Sequence, residues 1–281
     1  MAMADRVVDI VGSGGRYVAW ALTLVGVLFL IGPILFIIPL SFSASPGLKY
    51  PIEGLTLDWY RAVLEPQPWM FAFKNSLLIA FPVTFISTAL GTAAAFGLHL
   101  SKSRSAAIYT GIFLAPLVVP SVITALALYF LMSYAGLLGT FIGVIIGHVI
   151  VCVPFVVLMV TVSIRNLDLG LIRAALNLGA SPTTAFRTVT LPLILPGLAA
   201  GAILAFIHSF DEVILAVFLA GPSQYTLPRQ LFTALEFRLD PSIVAVSTLL
   251  ILVTTLLFGL VEWLRAKQRR KATPSSSAIP V

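Results

Sequence analysis

Long apolar runs alternate with short polar breaks along the chain. A spanning helix needs about 20 largely apolar residues to cross a hydrocarbon core of about 30 Å. Six runs reach that length: 17–40, 76–99, 106–132, 137–162, 193–220 and 242–264. They predict an all-α integral membrane protein with six transmembrane helices. Pro82, Pro116, Pro120 and Pro154 fall inside these runs. A proline is tolerated in a span because neighbouring groups satisfy the carbonyl it frees, so each run is read as one helix.

Composition agrees with this pattern. The 281 residues are 59% hydrophobic and only 10% charged, and the mean hydropathy is +1.05. A soluble domain carries about 25% charge. The formal charge of +6 raises the question of nucleic acid. No basic patch interleaved with aromatics exists to bind it, so nucleic acid is excluded as a partner. The cations sort by loop instead. Twelve of the 17 Lys and Arg fall in the N-terminal segment, the second and fourth loops and the C-terminal tail. The other five fall in the opposite set. The positive-inside rule therefore places both termini in the cytoplasm. On this reading 1–16 is a cytoplasmic N-terminus and 17–264 the six-span domain, with a cytoplasmic loop at 163–192. Residues 265–281 are a basic, then disordered, tail. The first run is too long for a signal peptide and reads as an uncleaved span. The single cysteine, Cys152, lies in an apolar run and reads as a small buried hydrophobe. In the first outer loop, Asp58 is expected to cap a short helix carrying Trp59 and Tyr60 at the membrane interface.

The cytoplasmic stretch IRAALNLGASPTTAFRTVTLP, 172–192, is semi-polar and patterned. Asp168 is placed to cap a helix. Leu171, Ala174, Ala175 and Leu178 share one face of it at three- and four-residue spacing. Gly179 can end it with a positive φ. Ser181 and Pro182 restart a helix as N-cap and first residue. The chain is then expected to turn into the membrane, with Pro192 beginning the next span. The physical reading leaves two roles open: a loop packed on its own spans, or a surface for a soluble partner.

The same residues resemble the coupling loop of permease subunits of binding-protein-dependent ABC importers. That pattern runs E-A-A, three residues, G, nine residues, I-x-L-P. Ala174, Ala175, Gly179, Leu191 and Pro192 match it; Val189 replaces Ile, and Arg173 stands in place of the acid. The six-span layout resembles the type I class of these permeases. The resemblance implies docking of a separate ATPase dimer on this loop, with ATP and Mg bound by that ATPase. The chain has no G-x-x-x-x-G-K-[ST] of its own. It also implies a second permease subunit, a periplasmic or extracellular solute-binding protein, a lipid environment in a bacterial inner membrane, and no catalysis or cofactor on this chain.

Charges inside the fifth run are the other candidate chemistry. His208, Asp211 and Glu212 lie before Gly221, at a depth where an ionised group costs at least about 2.5–3.5 kcal/mol. They read as translocation-pathway residues. They form no metal site, since they cluster on one segment without a second ligand group. FDEVILAVFLAGP followed by TLPRQLF resembles the second permease of spermidine/putrescine-type importers, which implies a polyamine or related amine as solute and a heterodimeric pore. A stand-alone secondary transporter or channel for a small cation is the competing reading. It leaves the cytoplasmic helix pair without a purpose. His148, deep in the fourth run, is expected to be a structural hydrogen-bonding residue.

Overall fold

A computed structural model describes residues 13–45, 47–101, 106–237 and 241–256. The predicted segments 1–12, 102–105 and 257–281 lie outside the described residues. The chain divides into two compact units, 66–233 and the two flanks, 1–65 with 234–281.

In the flanking unit, α1 (Ser13–Leu40) is apolar along its length, and its most hydropathic window is wholly unburied. The loop after it is tied by aromatic side chains. Trp59 Nε1 donates to the Ser43 carbonyl at 2.8 Å, Tyr60 and Ser41 hydroxyls share a hydrogen bond of 2.6 Å, and Tyr50 donates to the Phe36 carbonyl at 2.7 Å. The short helix α2 (Asp58–Leu64) starts where expected, but Leu57 is its N-cap. The Asp58 carboxylate instead accepts from Thr56 Oγ1 at 2.7 Å and pairs with Arg61 at 3.3 Å. A helix over Ser242–Leu256 covers the first part of the sixth predicted span.

The central unit is a three-helix core. Helices α3 (Phe71–Leu100), α6 (Phe141–Arg165) and α9 (Leu191–Asp211) pack together. Small residues make the close approach possible. A Cβ on Gly91 would lie 2.6 Å from Val156 Cβ, and one on Gly201 would lie 3.1 Å from Val156 Cα. On α9 the buried stripe is Ile194, Gly197, Gly201, Ala205 and Ser209, at helical spacing. His148 and Cys152 are fully buried on α6.

Three expectations change. The run 106–132 is not one helix but α4 (Ala106–Val118) and α5 (Ser121–Tyr134), bent by 104°. Pro120, at φ −54° and ψ 133°, caps α5 and pushes the residue before it out of helical geometry. The run 193–220 breaks after Asp211, and α10 (Ile214–Leu219) follows. Pro192 stands at the start of the next span as expected, but no turn precedes it. Helix α8 (Pro182–Ala185) passes through a π turn at Phe186–Thr190 directly into α9. There Leu191 N–H reaches back to the Phe186 carbonyl, and the wider turn accommodates the proline. Among the described residues, four helices are long and apolar enough to cross a membrane, or five if α4 and α5 form one span.

Candidate functional site

The helix break within residues 172–192 is built from local bonds. Asp168 Oδ1 accepts the Gly170 N–H at 2.7 Å and starts α7 (Leu169–Asn177). Gly179, at φ +89°, ends it. Its N–H donates to the Leu176 carbonyl, and the Ala180 N–H to that of Ala175, at 3.0 and 3.1 Å. This pair of bonds is a Schellman cap. Ser181 Oγ then accepts the Thr184 N–H at 3.2 Å, and Pro182 opens α8.

Helix α7 has two apolar sides. Ile172 and Leu176 face inward and, with Phe96, Leu100 and Phe186, line a cavity of about 460 Å³. Phe186 sets its edge against Phe96, centroids 5.4 Å apart. The predicted face points outward: Leu171 is 48% and Leu178 88% exposed. Arg173 and Ala174 are exposed beside them, and Ala175 is half-buried. Among the described residues Arg173 forms no ion pair. Val189, Leu191 and Pro192 are not on this face; they belong to the π turn and the start of α9.

At the opposite end of the core, the two adjacent acids separate. Asp211, the last residue of α9, is exposed. Glu212 is only 8% exposed and extended, at φ −74° and ψ 109°. Its Oε1 accepts the N–H groups of Ile214 and Leu215 at 2.9 and 3.1 Å, so it caps α10. Its Oε2 lies 3.7 Å from His208 Nε2, and the His208 ring packs on Phe155 at 4.7 Å. His148 Nδ1 and Ser209 Oγ share a bond of 3.0 Å, the structural role expected. The far end of α10 is also held. Arg229, on α11 (Leu227–Phe237), donates from Nη1 to the carbonyls of Ala216 and Ala220. Its guanidinium lies 4.5 Å over the Tyr225 ring. From the sequence Arg229 reads only as one of the five cations of the opposite loop set. Its place three residues into TLPRQLF, just beyond an apolar stretch, was the available signal.

Residues 87–270 match the family of binding-protein-dependent transport system inner membrane components. The chain belongs to that family. It is the non-catalytic permease subunit of an ABC importer, a multi-pass membrane component that works with an ATPase. The permease is 33% identical over 257 residues to the putrescine transport system permease protein PotI of Escherichia coli K12, covering 88% of this chain and 91% of that one. It is 31% identical over 245 residues to the spermidine/putrescine transport system permease protein PotC of the same strain, covering 86% and 91%. The structure of a bacterial ABC transporter that imports the acidic polysaccharide alginate contains a chain with the same fold. Its TM-score is 0.70 at 17% identity, over 92% of the permease and 96% of that chain.

Proposed function

We propose that the permease forms half of the passage of a polyamine importer, taking putrescine, spermidine or a related amine across a bacterial inner membrane. A second permease subunit completes the passage, and a solute-binding protein delivers the amine from outside. An ATPase dimer, holding ATP and Mg, docks on the outward face of α7 from the cytoplasm, where both termini lie. Arg173, Ala174 and Ala175 meet the ATPase. Gly179 fixes the angle of that surface, and Val189, Leu191 and Pro192 carry its motion into α9. The relatives that transport polyamines support the solute.

One observation carries the pathway reading. Asp211 is exposed, and Glu212 beside it is committed to capping α10. Among the described residues 66–233, the only other acid is Asp168, which caps α7 at the far end. Asp211 is therefore the acid placed to attract a passing cation, while Glu212 and His208 shape the passage around it. The test is putrescine uptake into proteoliposomes holding the whole complex. Asp211→Asn raises KM about five- to ten-fold, the worth of one partly solvated charge contact. An unchanged KM contradicts the assignment.

A further inference from the structure

Beside Asp211, four phenylalanine rings run in succession along the seam of α3 and α9. Phe73 meets Phe210 with centroids 6.2 Å apart. Phe210 stacks on Phe206 at 5.9 Å and 18° between planes. Phe206 meets Phe81 at 5.4 Å. Phe81 is 62% exposed, and the other three are half-buried. Eight residues of α3 separate Phe73 from Phe81, so the run descends about 12 Å along the helix towards the coupling end. Phe210 directly precedes Asp211 in the chain.

Resting on the polyamine reading above, we propose that this ladder is the track along which the solute's ammonium groups move after Asp211 attracts them. A ring face attracts an ammonium within about 6 Å of its centroid. Rings that follow one another at 5.4 to 6.2 Å hand a cation on without a gap. A passage must bind weakly at several sites, or its cargo does not leave. A row of carboxylates would trap a polycation; one carboxylate followed by aromatic faces does not. The methylene links of a polyamine also suit an aromatic surface, whereas hard metal cations demand oxygen ligands. The ladder therefore selects alkylammonium ions over metal ions.

Fluorination drains the electron density of a ring face while nearly preserving its shape. Phe206 is replaced by its trifluoro analogue in the full complex, and putrescine uptake into proteoliposomes is measured. The expected result is a KM rise of about five-fold, graded with the number of fluorines, as a cation–π contact requires. Phe206→Tyr, which keeps an electron-rich ring, stays near the wild-type KM. An unchanged KM in the fluorinated series overturns the ladder, even where Phe206→Leu impairs uptake, because that loss is one of packing. A wild-type complex that imports no putrescine overturns the polyamine reading, and the ladder with it.

Discussion

Asp211 and Glu212 are neighbours in the chain with opposite fates. Glu212 accepts two backbone N–H groups from α10, while Asp211 stays exposed on the chain. The difference follows from the break itself. Once Glu212 leaves helical geometry, the first N–H groups of α10 need an acceptor, because no water satisfies them within a membrane. The account distinguishes the two acids by experiment. Glu212→Gln keeps the accepting oxygen and preserves the cap. Glu212→Ala removes it; Val213 is the N-cap residue, but losing the acceptor of the first helical N–H groups costs about 1 kcal/mol, the scale of a lost capping bond. The expected outcome for Glu212→Ala is a melting midpoint of the purified complex lowered by about 2–4 °C. Glu212→Gln melts within about a degree of wild type, while Asp211→Asn changes uptake rather than melting.

At the scale of elements, the helix core rests on glycines placed where backbones meet. A Cβ at Gly91 would press on Val156 and on the Val153 carbonyl, so Gly91→Val overpacks the seam of α3 and α6. Overpacking costs about 1–3 kcal/mol, and thermal unfolding of the complex should show it as a lower midpoint with loss of uptake. Gly179 acts differently. A Cβ there meets nothing within 4 Å, so Gly179→Ala carries only the cost of its positive φ, about 1–2 kcal/mol.

These elements also show what a sequence can and cannot disclose. The break at Gly179 was readable because its signals are local: Asp168, Gly179 and Ser181 each satisfy a backbone group within a few residues, and Pro182 opens the next helix where no N–H bond is lost. The bend at Pro120 and the break at Glu212 were not. Hydropathy is the same for a straight span and for two half-helices, and Pro154 sits in an unbroken helix while Pro120 ends one. The difference is tertiary. Helices α5 and α10 pack on each other, and the Gly139 N–H donates to the Leu219 carbonyl. Asp211 and Glu212 were legible as charges in an apolar run, but the capping of α10 by Glu212 and the lock by Arg229 depend on a fold no periodicity encodes.

At the scale of the whole molecule, the two candidate sites occupy opposite ends of the α3–α6–α9 core. Helix α8 continues through the π turn into α9 without a flexible link. On the proposed docking, a push on α7 would reach Asp211 along one continuous helical run, from Pro182 to Asp211. The outward leucine is the natural handle. On the docking proposed above, Leu178→Asp places a charge on a surface that is 88% exposed in the chain alone and that the ATPase would cover, so co-purification of the ATPase with the permease should fall sharply. The most direct test of the account is to measure ATP hydrolysis and putrescine uptake together in the reconstituted complex carrying Gly179→Pro. Proline fixes φ near −65° and cannot donate to Leu176, so the angle of the coupling surface is lost. The account predicts a permease still inserted in the membrane, with uptake abolished and no longer driven by ATP. Uptake that remains coupled to ATP hydrolysis in this variant would contradict it.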